Sequence, residues 1–254
     1  MNVVAIIQAR MSSSRLPGKV LMPLAERPVL WHVVNRIKGC RTIQKVVVAT
    51  SIDASDDAIV DWCRQNGIAF YRGSLQDVLD RYYQAAKCYG AEAVVRITAD
   101  CPAIDPEIVD EVVSGFISGH YDCYGLAGEF PDGLDCTVFS FDALESAWKD
   151  ARLNSEREHV GPYIENHREL FRNGALYKFK GLGHHRWTLD EPRDYTFLQQ
   201  IFNRLFIENI NFSSGDVLNL LEKEPELLSI NDSITRNEGY LKSITAERNC
   251  NVQP

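Results

Sequence analysis

The sequence predicts an α/β fold, a mostly parallel sheet with helices on both faces, and three observations predict it. Apolar runs rich in Val and Ile alternate along the chain with stretches whose apolar residues recur at helical spacing. The runs are continuous and do not alternate with polar residues, as expected of strands covered on both faces. The first of them, Val3 to Ile7, breaks directly into a basic, small-residue loop, Gln8 to Lys19, and open α/β sheets bind their ligands at that end of their strands.

In that loop Arg10, Arg15 and Lys19 bring three cations together within ten residues, while Ser12, Ser13, Ser14 and Gly18 let hydroxyls and backbone N–H groups approach an anion. Arg offers a planar fork for two phosphate oxygens and Lys a compact point charge, a mixture that suits a polyphosphate better than a single carboxylate. A solvated basic loop is the alternative, and the acidic balance of the rest of the chain speaks against it. The spacing matches neither G-x-x-x-x-G-K-[ST] nor G-x-G-x-x-G.

Beyond the loop, Pro28 opens a helix with Val29, Leu30, Val33, Val34 and Ile37 on one face, and Gly39 ends it. Residues 44–50 contain Val46-Val47-Val48, a buried strand; Ser55 is placed to cap the next helix, which turns Ile59, Val60 and Cys63 inward and stops near Gly67. Ile68 to Tyr71 is a third strand. Ser74 and Asp77 form a variant capping box for a helix from Val78 to Lys87. Ala93 to Thr98 is a further strand, ended by Ala99-Asp100-Cys101-Pro102. An Asp there can bridge a hard divalent cation to phosphate, an ordinary turn Asp being the alternative.

Pro106 opens a helix carrying Ile108, Val109, Val112, Val113 and Phe116. From His120 to Ser140 the pattern loosens into short strands around Phe130-Pro131-Asp132-Gly133-Leu134-Asp135, long enough for a small segment protruding from the sheet, and Ser140 caps a helix. Asp132 and Asp135 are candidates for binding sugar hydroxyls. Ser155 begins a helix in which Arg157 and His159 are candidate substrate contacts, a structural histidine being the alternative. His184 and His185 are adjacent, so on a strand they would face opposite ways. Ser213 or Ser214 caps a helix with Val217, Leu218, Leu220 and Leu221; beyond Glu224 the chain turns polar without a clear apolar face and is expected to fray at its end.

A chain of 254 residues, 45% apolar, is read as one domain, with a helical extension over 212–254. Its net charge of −8 argues against nucleic-acid or anionic-membrane partners, so an anionic ligand must be held by local cations. No leader pattern and no run near the ~20 apolar residues of a membrane span is present, which points to the cytoplasm. The seven cysteines (40, 63, 88, 101, 123, 136 and 250) lack C-x-x-C spacing and read mainly as small buried hydrophobes.

The string Arg10-x-x-Ser13-x-Arg15-Leu16-Pro17-Gly18-Lys19 closely resembles the nucleotide-binding loop of the cytidylyltransferases that activate acidic sugars, such as the CMP-3-deoxy-manno-octulosonate synthetases. With Gln8-Ala9 before it and Val20-Leu21 after it, the wording is most similar to the spore-coat polysaccharide biosynthesis branch of that group. Two further strings fit. Asp100 before x-Pro resembles the group's Gly-Asp-x-Pro metal motif, with Ala99 in place of Gly and Cys101 where Glu is frequent. Leu189-Asp190-Glu191-Pro192-Arg193-Asp194 resembles its Val-Asp-Thr-Pro-Glu-Asp string, which aligns Asp190 with the second metal carboxylate.

The resemblance implies a Rossmann-like nucleotidyltransferase fold and transfer of CMP from CTP to an acidic sugar, with release of pyrophosphate. It implies that Gln8, Ala9, Arg10, Ser13, Arg15, Gly18 and Lys19 bind the nucleotide, with Ser74 and Gln76 near the pyrimidine, and that Asp100 and Asp190 hold Mg²⁺. It also implies that the 120–140 segment serves the acceptor and a homodimer contact. The alternatives are a nucleotidyltransferase for a phosphorylated sugar or small acid, a glycosyltransferase using a nucleotide-sugar, which the lack of Asp-x-Asp at a strand end disfavours, and a nucleotide-sensing protein without turnover.

Overall fold

The computed structural model describes residues 1–236, 238, 243–245 and 247. Along them run β1 (Val3–Gln8), a short hairpin of β2 (Pro23–Leu24) and β3 (Arg27–Pro28), α1 (Val29–Lys38), β4 (Lys45–Ser51), α2 (Asp57–Gln65), β5 (Ala69–Gly73) and α3 (Val78–Cys88). Then follow β6 (Ala93–Thr98), α4 (Pro106–Gly119), β7 (Cys123–Leu126), β8 (Thr137–Ser140), α5 (Phe141–Asp150), α6 (Asn154–His159), α7 (Pro162–Asn166), β9 (Asn173–Leu176), α8 (Pro192–Leu205) and α9 (Ser214–Lys223).

Seven strands form one sheet in the order β5-β4-β1-β6-β8-β7-β9. β1 lies inside it, parallel to β4 and β6, which is why Val3 to Ile7 can be apolar without a break: every side chain meets a covered face. Alternation along the strand divides the core. Val3, Ala5 and Ile7 pack with α1, α4 and α8 on one face, while Val4 and Ile6 pack with α3 and α5 on the other. The parallel strands therefore end together on one edge of the sheet, where the basic loop begins.

Four details differ from the sequence reading. Asp53, not Ser55, supplies the cap ahead of α2: its carboxylate accepts from Ser55 N at 2.8 Å, which puts Ser55 inside a 3-10 turn, Ala54–Asp56. Asp77 caps α3 by accepting from Asp80 N, and Ser74 acts one step upstream on Asp77 N. The hairpin turns through Ala25 and Glu26, both at positive φ (45° and 64°), so it carried no glycine signal. Beyond Glu224 the chain does have an apolar side, because a 3-10 turn, Pro225–Ile230, buries Leu227 beside α8 and α9.

The expected protrusion over 120–140 is also corrected. β8 adds to the sheet antiparallel to β6, and β7 antiparallel to β8, so Leu134, Cys136, Val138 and Phe139 are buried. Hydrogen-bonding to the sheet gives these apolar residues a core to enter. Of the cysteines, Cys40, Cys63, Cys101, Cys123 and Cys136 are buried and Cys88 is exposed; Cys250 and the expected frayed end lie outside the described residues.

The turn before β8 locks onto the segment that carries Asp190. Asp132 N donates to His185 O at 3.0 Å and Trp187 N donates to Asp132 O at 2.6 Å. Gly133, at φ +105°, makes this approach possible: a Cβ there would lie 2.7 Å from the Trp187 carbonyl carbon. Gly133→Ala is therefore expected to lower stability by more than the ~1–2 kcal/mol of left-handed strain alone. Urea denaturation reads it, and a loss under about 0.5 kcal/mol, the range of ordinary surface changes, refutes the packing argument.

Candidate active site

The ends of β1 and β6 and the extended segment Trp187 to Asp190 enclose a cleft of about 350 Å³, lined on one side by the basic loop and on the other by α3 and α6. Gly18, at φ +74°, turns the loop and donates its N–H to Met11 O at 2.8 Å, and Lys19 follows at the start of a 3-10 turn. The Lys19 side chain then reaches back into the cleft. Its Nζ donates to Asp100 Oδ2 at 2.7 Å and to Asp190 Oδ1 at 2.8 Å.

These three charges set one another. Burial alone would lower the Lys19 pKa, but Asp100 and Asp190 outweigh it and raise it. Burial alone would raise that of Asp100, but the Lys19 ammonium holds it down at about 2. The sign for Asp100 follows: its contribution to stability is complete above the ordinary carboxylate range and is lost as pH falls through about 2. For Lys19, the contribution is complete below its ordinary 10.5 and lost only as pH rises past the raised value. Lys19 and Asp100 therefore both stay ionised throughout the neutral range.

Asp190 is shared further. Its Oδ2 forms an ion pair with Arg15 Nη2 at 3.1 Å and accepts from Arg186 Nη2 at 3.3 Å. Arg15 is also held from outside the cleft by Glu238, at 2.6 Å. The basic loop itself is anchored by Asp56, which is fully buried: Oδ1 accepts from Met11 N at 2.7 Å, while Oδ2 accepts from Ser51 N at 3.0 Å and Ser51 Oγ at 2.6 Å. One carboxylate thus ties the loop after β1 to the end of β4.

The cleft gathers Gln8, Ala9, Arg10, Ser13, Arg15, Lys19, Asp100, His159 and Asp190 of the residues picked out from sequence. Gly18 shapes the loop without lining the cleft. Others are elsewhere. Ser74 and Gln76 line a separate depression with Ile52 and Asp53, because Arg81 pulls the Ser74 carbonyl toward α3 and the Ser74 hydroxyl caps Asp77 N. Arg157 turns away and grips Asp77 through Nε, at 3.1 Å to each oxygen, and Nη2, at 2.5 Å. Asp132 pairs with Arg186 Nη1 at 3.0 Å, and Asp135 accepts from Gly133 N at 2.9 Å.

His184 and His185 do not diverge as on a strand: the chain bends there, and their rings lie 4.3 Å apart beside one depression. Burial, with His184 beside it, lowers the His185 pKa to about 4. Among the described residues no group of three or more His, Cys, Asp and Glu side chains converges on a point, and no helix is long and apolar enough to cross a membrane.

The sequence reading missed Asp56, Arg81, Glu158, Arg186, Asp194 and Glu238. Asp194 stands in a quoted string, and Arg186 directly before Trp187, so a buried cation beside a run of carboxylates was the available signal. Asp56 offered none, since it looked like one more acidic residue at a helix start.

A cationic loop after the first strand of a mostly parallel sheet, facing two carboxylates from distant segments, defines a nucleotidyltransferase. Residues 4–225 match the cytidylyltransferase family. The chain is 36% identical over 245 residues to an uncharacterised protein of Methanocaldococcus jannaschii, covering 94% of this chain and 98% of that one. It is 31% identical over 233 residues to the spore coat polysaccharide biosynthesis protein SpsF of Bacillus subtilis, covering 89% and 96%. A cytidylyltransferase structure from Leptospira borgpetersenii superposes with a TM-score of 0.85 at 32% identity, covering 92% of this chain and 98% of that one. The chain belongs to the cytidylyltransferase family and is a CTP-dependent nucleotidyltransferase.

The Asp56 anchor carries a test. Asp56→Ala leaves two backbone N–H groups and a hydroxyl without their acceptor, so stability should fall by at least about 2 kcal/mol, and trypsin should cut faster after Arg10 and Arg15. Limited proteolysis beside urea denaturation measures both. Unchanged cutting would mean the loop keeps its shape without this carboxylate.

Proposed function

We propose that this enzyme transfers CMP from CTP to an acidic sugar, releasing pyrophosphate, in the synthesis of a surface polysaccharide or glycoconjugate. The observation that carries the reading is the convergence of Asp100 and Asp190 on one cation position, 2.7 and 2.8 Å from Lys19 Nζ, in a cleft that Arg10 and Arg15 also line. An acidic acceptor is supported by the likeness of the Arg10 to Lys19 string to the acidic-sugar group, and a polysaccharide role by the name of the Bacillus relative.

An acceptor hydroxyl attacks the α-phosphorus in line; the new O–P bond forms as the bond to the bridging oxygen breaks, pyrophosphate leaves and the hydroxyl proton is released to water, with no covalent enzyme intermediate. Arg10, Arg15 and Lys19 bind the triphosphate and draw charge from the leaving group. Asp100 and Asp190 fit Mg²⁺: two hard oxygens already converge on one point, and Mg²⁺ bound through few carboxylates takes its remaining ligands from phosphates and water. When bound, it would offset charge developing at the α-phosphate. Lys19 Nζ occupies the point between the two carboxylates, so a cation bound there would take its place and leave Lys19 free to pair with the phosphates.

CTP supply puts the reaction in the cytoplasm, and we read the protein as a homodimer; sedimentation should give about twice the 28.8 kDa of one chain, and a species of chain mass alone would rule the dimer out. The function is tested by following pyrophosphate across acidic sugars, phosphorylated sugars and each nucleoside triphosphate. Release only with a phosphorylated acceptor moves the reaction to a phosphate nucleophile, and none with any acceptor refutes turnover. In the active combination Asp100→Asn and Asp190→Asn should each lower single-turnover rates far more than they weaken CTP binding, and the double variant should be little worse than either.

A further inference from the structure

We propose that Arg186 is a positioning residue for Asp190: it fixes one carboxylate oxygen so that the other alone is presented to the reacting phosphate and its cation. The proposal rests on the reading above that Asp100 and Asp190 hold a divalent cation. Arg186 is 6% exposed and is not part of the cleft lining. Its Nη2 donates to Asp190 Oδ2 at 3.3 Å, and its Nε and Nη2 grip the two oxygens of Asp194 at 2.9 and 3.0 Å. Asp194 Oδ2 accepts in turn from the backbone N–H groups of Asp190 and Glu191, each at 3.0 Å.

One guanidinium therefore holds Asp190 twice, directly at the side chain and through Asp194 at the backbone. Oδ1 is left facing the point that Asp100 Oδ2 also reaches. Arg15 touches Oδ2 as well, but it lies on the nucleotide loop and is also claimed by Glu238. Arg186 is bound to carboxylates alone among its side-chain partners, Asp132, Asp190 and Asp194. When Arg15 and Lys19 turn to the phosphates, Arg186 is the cation that still keeps the Asp190 carboxylate from rotating or chelating through both oxygens. Partners of this kind set the strength of a metal ligand, and their loss commonly costs 10–100-fold in metal affinity. A fork of fixed angles is required, which a lysine cannot reproduce.

The test is calorimetric titration of CTP into wild-type protein and Arg186→Lys, once with chelator and once with Mn²⁺. In the wild type Mn²⁺ should tighten CTP binding; in Arg186→Lys that gain should shrink by about ten-fold or more, with metal-free CTP binding unchanged. If Arg186→Lys does not fold, Asp194→Asn, which loosens the grip on the guanidinium but keeps an acceptor for both backbone N–H groups, must show the same selective loss. An undiminished gain, or equal weakening with and without Mn²⁺, makes Arg186 a structural cation and overturns the proposal. No Mn²⁺ effect on the wild type overturns the metal reading itself, and the proposal with it.

Discussion

One ammonium group holds this site together. Lys19 Nζ sits between Asp100 and Asp190, residues 81 and 171 positions away in the chain, and closes the ends of β1, β6 and the Trp187 to Asp190 segment around a single cleft. Lys19 is almost wholly buried, so none of the three charges is comfortable alone. Breaking a buried pair by removing one partner typically costs about 3–5 kcal/mol, because a charge is left uncompensated. The same arrangement is suited to exchange: a ligand that brings its own anionic oxygens and cation can replace each contact with an equivalent one.

Around this centre stand supports that do not line the cleft. Asp56 fixes the basic loop to β4, Gly133 lets the turn before β8 press against the Trp187 backbone, and Asp194 closes the start of α8 on the backbone of Asp190 and Glu191. Each is a backbone constraint near a reactive side chain, and phosphoryl transfer depends chiefly on such positioning.

The C-terminal part of the chain belongs to the site's surroundings. Asn231 is buried and donates to Arg186 O and to Asp194, both at 3.0 Å; Arg236 donates to Phe130 O at 2.7 Å; Glu247 accepts from Ser155 N and Oγ. Glu238 meets Arg15, so that guanidinium is held by carboxylates from both sides of the loop.

What the sequence determined by itself was local: continuous Val and Ile runs for buried strands, helical spacing for covering helices, and a cluster of cations in one loop, each legible within a few residues. Asp100 and Asp190 were legible because each stands in a string of its own. Only the tertiary structure decided which side chains face the cleft. Ser74, Arg157 and Asp132 have suitable chemistry, yet Arg81, Asp77 and Arg186 draw them elsewhere. It also decided that 120–140 joins the sheet, since a strand's pairing partner is chosen by distant residues. The physical reason is common to all of these: charge and periodicity are properties of a segment, whereas the direction of a side chain is fixed by partners that folding brings to it.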